Sequence, residues 1–362
     1  MNFSWLLRVV SGTQQGPLAG VMRLCLWGLT PFYRCGVWVR NRQFDSGSKP
    51  AESVAAKVIS IGNITTGGTG KTPMVIWVCE LLQQQGANAA IVSRGYGAKE
   101  AQPNDEAMEL SFRLPQVPHV QNPDRVAAAK QCIADHQVDV IVLDDGFQHR
   151  RIARDLNIVL VDAANPFGYG YLIPRGLLRE PISSLSRADA VVITRCEQDD
   201  GQVSSLKGQI QQQTSAPIAL ARTSPVALVQ QSNSTLRVEV AQHDSESRAT
   251  KDISKLKAGT WFAFSAIGNP VAFERSLKEL GCELSGSMQF RDHHLFDAND
   301  HQKISAAAKQ AGAEFLICTC KDLVKLIPER FDLPVFALQT ELEIFEGQDA
   351  MQQMVRLATE PT

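Results

Sequence analysis

The chain has 362 residues, too long for one average domain and comfortable for two, with the ordinary globular balance of 44% hydrophobic and 20% charged residues. A formal net charge of −2 supplies no global field for nucleic acid, so no nucleic-acid partner is expected. The 8 cysteines form no C-x-x-C pair and sit mostly in apolar runs, as small buried hydrophobes of a reducing compartment do, which argues against a disulfide framework or a zinc site.

Residues 1–44 form the first predicted element. They carry Arg8, Arg23, Arg34, Arg40 and Arg42, no acidic residue before Asp45, and Trp5, Trp27 and Trp38. Leu18, Met22, Cys25 and Leu29 recur at helical spacing. Arg23 and Arg34 interrupt every apolar run of about 18 residues, so no spanning helix is expected. No small-residue cleavage site marks a signal peptide. Arginine and tryptophan on an amphipathic segment fit a helix lying in a membrane interface, the plainer alternative being a helix packed on its own domain.

From Lys57 to about Arg222, apolar runs alternate with helical patterns. Strands are expected at Val58–Ile61, Ala90–Val92, Val138–Leu143, Ile158–Val161, Ala190–Ile193 and Ile218–Leu220, and helices at Met74–Gln85 and Arg125–His136. Continuous rather than alternating apolar strands mean burial on both faces, hence a parallel sheet covered by helices. Ligands of such sheets bind beyond the carboxyl ends of the strands.

The first strand runs into Thr65-Thr66-Gly67-Gly68-Thr69-Gly70-Lys71-Thr72-Pro73. Three glycines let the backbone curl so that several N–H groups converge on phosphate oxygens. Lys71 would reach the β- and γ-phosphates and Thr72 would ligate Mg²⁺. The strict phosphate-loop pattern asks for glycine where Thr65 stands, so this is a variant with its glycines displaced. Pro73 fits the first turn of the following helix.

Asn104-Asp105-Glu106 follows the second strand and Ser93-Arg94-Gly95-Tyr96-Gly97. A carboxylate there could accept the proton of an attacking hydroxyl, although acidic loop residues are commonly just solvated. Arg125 opens a predicted helix, where it could touch phosphate or simply face solvent. Val138–Leu143 ends in Asp144-Asp145-Gly146-Phe147-Gln148-His149. Acidic residues closing an apolar strand downstream of a phosphate loop have the form that holds Mg²⁺, while the plainer reading makes them helix caps.

Thr223 to Gly259 is rich in Ser, Gln and Asp and reads as a linker with one hairpin, Val226–Val229 with Leu236–Val240. A smaller α/β unit follows: strand Trp261–Ser265, helices Val271–Leu280 and Asn299–Ala311, strands Phe315–Thr319 and Val335–Leu338. Arg291-Asp292-His293-His294 lies within it. Adjacent histidines rarely share a metal, but one could hydrogen-bond a carboxylate across a cleft.

Together these segments resemble the tetraacyldisaccharide 4′-kinase family. The matching text is Gly62–Pro73, Ser93–Gly97, Asp144–His149, Asn165-Pro166-Phe167-Gly168, Pro174–Pro181, Ile193-Thr194-Arg195, Gly268-Asn269-Pro270 and Asp292-His293-His294, in family order to about residue 325. The resemblance implies an α/β fold: a P-loop NTPase-like parallel-sheet domain with an N-terminal amphipathic helix, plus a smaller α/β domain joined by a hairpin linker. Boundaries are expected at 1–44, 45–222, 223–259 and 260–362. It implies ATP- and Mg²⁺-dependent phosphorylation of the 4′-hydroxyl of tetraacyldisaccharide 1-phosphate, giving the bisphosphorylated lipid A precursor. It implies a monotopic enzyme on the cytoplasmic face of the bacterial inner membrane, with no obligate protein partner. Asp105 takes the role of catalytic base, oriented by a histidine placed at His293, with His294 the alternative in alignment. Thr65, Thr66, Gly67, Gly68, Thr69, Gly70, Lys71 and Thr72 bind the nucleotide, and Thr72, Asp144 and Asp145 the metal.

Two departures stand out. The family reads Gly-Asp-Glu-Pro where this chain has Asn104-Asp105-Glu106-Ala107, and Thr-Glu-Lys-Asp where it has Thr319-Cys320-Lys321-Asp322. With Asp105 in one predicted domain and His293 in the other, closure of a cleft is expected to bring them together. The rival classes are a membrane-associated regulatory P-loop ATPase, which needs neither residue, and a GTPase or metal-insertion protein, against which the lack of an Asn-Lys-x-Asp signature and of a His-rich tract counts.

Overall fold

The computed structural model describes residues 3–95, 104–196, 201–230 and 253–360. Tyr96 and Gly97, and the second arm of the expected hairpin at Leu236–Val240, lie outside these. The chain divides into two compact units, Met1–Gly95 with Gln116–Thr223 and Leu342–Thr362, and Tyr96–Pro115 with Ser224–Glu341.

The first unit opens with α1 (Phe3–Ser11) and α2 (Pro17–Asp45). Its sheet comprises β1 (Lys57–Asn63), β2 (Ala89–Ser93), β3 (His119–Gln121), β4 (Val140–Asp144), β5 (Leu156–Asp162), β6 (Ala190–Thr194) and β7, which runs Ile218–Val229 into the second unit. The order is β3-β2-β4-β1-β5-β6-β7, and the ladders are parallel. β1, β2, β4, β5 and β6 are buried almost throughout, as continuous apolar runs require. Helices α3 (Lys71–Gln84), α5 (Arg125–His136) and α6 (Gly201–Gln211) cover the sheet. Val58, Ile141 and Leu143 pack with Val126 and Ala129 in one cluster, and Val159, Val161 and Ile193 with Leu206 and Ile210 in another.

Chain order reverses at β1, since β4 lies on one side of it and β5 on the other. The carboxyl end of β1 is therefore the topological switch point, where the connecting loops part and leave a crevice. Gly62 sits there against Phe147: a Cβ added at 62 would lie 2.6 Å from both the Phe147 nitrogen and Cβ. The second to last residue of β1 thus carries no side chain so that the Asp144–His149 turn can close over it.

The second unit holds α4 (Asp105–Arg113), β8 (Thr260–Ser265), α7 (Pro270–Glu279), β9 (Glu283–Gln289), α8 (Ala298–Gln310), β10 (Phe315–Thr319), the single turn α9 (Cys320–Leu323), and β11 (Val335–Glu346), which leads back into the first unit. The strand order is β11-β10-β8-β9 with parallel ladders. Chain order reverses again, at β8.

Two segments lie elsewhere than the expected boundaries put them. Residues 104–115 belong to the second unit because Phe112 of α4 is buried among Phe262, Phe264, Leu316 and Leu323. The C-terminal helix α10 (Gln348–Thr359) belongs to the first unit, where it packs on β1, α3 and β5 and buries Met351 and Val355.

Candidate functional site

In the first unit the phosphate-loop segment leaves β1 and enters α3. Gly70 is the N-cap of α3 in the left-handed conformation (φ 84°), where a side chain would be strained. No side chain caps the helix, so the first-turn amides and the positive end of the helix dipole stay available to an anion. The loop is held from three sides. Asn63 Nδ2 donates to Thr69 Oγ1 at 2.9 Å, and Thr194 Oγ1 donates to the Thr69 carbonyl at 3.0 Å. The Thr66 amide donates to the Leu177 carbonyl at 2.7 Å, and Arg195, paired with Asp162, bonds the Gly68 carbonyl.

Lys71 is the first residue of α3 and Thr72 the second. Asp144 closes β4 in register with Ile61, and Asp145 follows in the left-handed region (φ 54°). Lys71 Nζ lies 3.7 Å from Asp145 Oδ1. Arg179 Nη1 donates to both oxygens of Asp145, at 2.9 and 2.7 Å. Burial alone would raise the proton affinity of Asp145, but Lys71 and Arg179 outweigh it and hold the carboxyl below its usual range. Arg125 is buried at 6% exposure, which overturns the solvated reading. His149 is pushed down to about 4, first by burial and then by Arg125, Arg151 and Arg154, so its ring is neutral at physiological pH.

Sequence reasoning assigned no role to Arg179. The signal was its place after an apolar pair, Leu177-Leu178, that pairs with the phosphate loop: Thr65 bridges Leu178, and the Arg179 amide donates to the Ile64 carbonyl at 2.7 Å. The next residue, Glu180, is wholly buried and ties α2 to this turn. Its carboxylate accepts from Arg40 at 2.9 Å, Asn41 at 2.9 Å and Arg187 at 2.7 Å. Burial opposes its charge, but Arg187, Asn41 and Arg40 prevail and hold the carboxyl below the ordinary glutamate range. A group with a depressed native value contributes stability above its unfolded value and loses it as pH falls through the native one. Glu180→Ala is expected to cost about 3–5 kcal/mol near neutral pH by leaving both arginines without their anion. The gap to wild type should narrow in acid, where wild type loses the charge too. Denaturant unfolding at neutral and acidic pH checks both points.

In the second unit α4 begins at Asp105. Asn104 is its N-cap and accepts from the Ala107 amide at 2.9 Å. The acidic stretch read as a loop is thus the start of a helix, where carboxylates are favoured by the dipole. His293, in the turn between β9 and α8, is also left-handed (φ 61°), and its Nδ1 lies 3.3 Å from Asp105 Oδ2. The two residues meet within one unit, so their pairing needs no closure between domains. His294 points elsewhere: its Nε2 is 2.7 Å from Asp300 Oδ2 and its ring stacks on Phe290 at 5.0 Å. Lys325, which sequence reasoning missed, lies 3.4 Å from Asp105 Oδ2 and 3.0 Å from Asp322 Oδ1. Among the described residues no group of three or more His, Cys, Asp and Glu is arranged as a metal cluster.

Each unit therefore gathers polar groups at the carboxyl end of its sheet. The first offers an uncapped helix start, a lysine and a carboxylate pair, suited to phosphates and a hard cation. The second offers a carboxylate beside an imidazole, suited to proton transfer.

The family model for tetraacyldisaccharide-1-P 4′-kinase matches residues 22–359. Tetraacyldisaccharide 4′-kinase of Syntrophus aciditrophicus is 36% identical over 86% of this chain and 87% of its own length. That of Anaeromyxobacter sp. (strain Fw109-5) is 34% identical over 97% and 95%. The crystal structure of "apo" form LpxK from Aquifex aeolicus in complex with ATP is 26% identical, with a TM-score of 0.74, over 94% of this chain and 100% of that one.

Proposed function

The chain belongs to the tetraacyldisaccharide-1-P 4′-kinase family, and from that premise we propose how its residues carry out the reaction. It is an ATP-dependent kinase that phosphorylates the 4′-hydroxyl of a tetraacylated disaccharide 1-phosphate, the step that gives the bisphosphorylated lipid A precursor. The observation that carries the mechanism is the uncapped start of α3, with Lys71 3.7 Å from Asp145.

The amides of Gly67 to Thr72 and the Lys71 ammonium bind the β- and γ-phosphates of ATP. The hard oxygen donors of Thr72, Asp144 and Asp145 fit Mg²⁺ and would hold it. When bound, that ion neutralises charge developing on the phosphate oxygens. Arg179 fixes Asp145 through both oxygens and so orients it. Asp105 accepts the proton of the sugar hydroxyl as the hydroxyl oxygen forms its bond to the γ-phosphorus and ADP leaves. His293, hydrogen-bonded to Asp105, orients the carboxylate. Transfer of a radiolabelled γ-phosphate from ATP to tetraacyldisaccharide 1-phosphate in detergent micelles tests the reading. A labelled lipid supports it, whereas ATP hydrolysis without labelled lipid would replace it with the regulatory ATPase.

No helix among the described residues is long and apolar enough to cross a membrane. A four-chain lipid must nevertheless reach the site, and α2 supplies a surface for it. Leu18, Val21, Leu24, Trp27, Phe32 and Trp38 are each more than half exposed along this helix, and Arg34 and Arg42 are exposed beside them. The other side of α2 is anchored: the Tyr33 hydroxyl donates to the Arg179 carbonyl at 3.0 Å, and Arg150 pairs with Asp45 at 2.7 Å. We place this face monotopically in the cytoplasmic leaflet of the inner membrane. Trp27→Ser with Phe32→Ser should weaken binding to anionic phospholipid vesicles by about tenfold without weakening ATP binding. Unchanged vesicle affinity would assign the face to another partner.

A further inference from the structure

Lys325 is a cation that the mechanism above does not use. Its side chain is 1% exposed, a position an ammonium tolerates only with partners. Asp322, fully buried, lies 3.0 Å away and is itself fixed: its Oδ2 accepts from the Ala266 amide at 3.1 Å and from the Thr319 hydroxyl at 2.8 Å. Lys325 also donates to the His294 carbonyl at 3.2 Å, and its Nζ sits 5.4 Å from the centre of the Phe296 ring. Asp322 alone would neutralise this lysine. The second carboxylate at 3.4 Å, Asp105, is more than structural pairing requires.

The excess has a chemical use. Among the described residues both partners of the Asp105 carboxylate, His293 and Lys325, contact the same oxygen, Oδ2. When Asp105 takes a proton, Lys325 still has Asp322, so the base can change charge without leaving a buried ammonium uncompensated. We propose that Lys325 is a positioning residue for phosphoryl transfer: braced by Asp322, it holds Asp105 by Oδ2, leaving Oδ1 to take the proton of the sugar hydroxyl. This rests on the reading of Asp105 as the base.

The charged groups around Asp105 are His293 from the turn after β9, Lys325 after α9 with Asp322 behind it, and Glu106 and Glu109 on α4 itself. Asp292 and Lys321 flank His293, with Lys321 Nζ 3.5 Å from Asp292 Oδ1. The experiment measures kcat and KM for transfer to the lipid in wild type, Lys325→Met, Asp322→Asn, Asp105→Asn and the Lys325→Met/Asp105→Asn pair. Lys325→Met should lower kcat at least about tenfold with the KM for ATP unchanged, because it disturbs the base and not nucleotide binding. Asp322→Asn keeps the side chain's shape and removes the brace, so it should lower kcat in the same direction by a smaller factor. The pair should lose no more than Asp105→Asn alone. Cooperative denaturant unfolding reports that each variant is folded, and either variant decides if the other fails to fold. A kcat of Lys325→Met within about twofold of wild type, or losses that multiply in the pair, would overturn the role of Lys325 alone. Wild-type turnover in Asp105→Asn would overturn the base, and the inference with it.

Discussion

Asp105→Ala is expected to lower kcat for lipid phosphorylation by about 10²- to 10⁴-fold, the range a positioned general base contributes. The fold should survive. Asn104 caps α4 whether or not Asp105 is present, and Lys325 retains Asp322 and the His294 carbonyl. ATP affinity should survive too, because the nucleotide groups are carried by the first unit and Asp105 by the second. The diagnostic result is therefore a selective one: the variant binds ATP at wild-type strength and transfers its phosphoryl group poorly. Single-turnover transfer with saturating lipid, run beside equilibrium ATP binding, separates the two. Wild-type single-turnover rates would remove Asp105 from the chemistry. His293→Ala should follow in the same direction with a smaller loss, since His293 acts on the carboxylate and not on the hydroxyl.

Lys71→Ala is expected to reduce transfer by about 100- to 1000-fold, about 3–4 kcal/mol of transition-state stabilisation, as when one preorganised donor is removed from developing charge. Its profile should differ from that of Asp105→Ala, because Lys71 lies at the helix start that binds phosphate, so nucleotide affinity falls with turnover. Asp145 limits the structural damage: Arg179 still holds both of its oxygens after the lysine is gone. Little change in unfolding midpoint is expected for that reason. ATP titration and transfer measured on the same preparation check this prediction, and unchanged values for both would remove Lys71 from the nucleotide site. The two variants together distinguish a kinase from a regulatory ATPase, since only a kinase needs Asp105 for its output.

Much of the architecture was legible because it is written in local signals. β1, β4, β5 and β6 are continuous apolar runs, so their burial on both faces, and hence a parallel sheet under helices, follows from residue type alone. The Gly67-Gly68-Thr69-Gly70-Lys71-Thr72 turn announces its chemistry because its backbone conformation demands glycine, as at Gly70. β9 was invisible: Glu283–Gln289 contains Gly286 and few apolar residues, and becomes a strand through its ladder to β8. β3 is only three residues long, too short for any period. α4 had a readable start in Asn104-Asp105-Glu106, but acidic residues after a strand read equally well as a loop.

The sequence by itself marked the candidate residues: the phosphate loop, the Asp144-Asp145 pair, Asp105 and the Asp292-His293-His294 triplet, each picked out by residue type and near neighbours. The tertiary structure alone decided their partners. It carried α4 into the second unit by burying Phe112, and so put Asp105 beside His293 while His294 turned to Asp300. It brought Arg179 to Asp145 from 34 positions away, and Lys325 to Asp105 across a far longer stretch of chain. Spacing along a chain encodes contacts only within a helix turn or a strand pair. Contacts between distant segments are set by which apolar faces bury one another, and that is a property of the packed molecule.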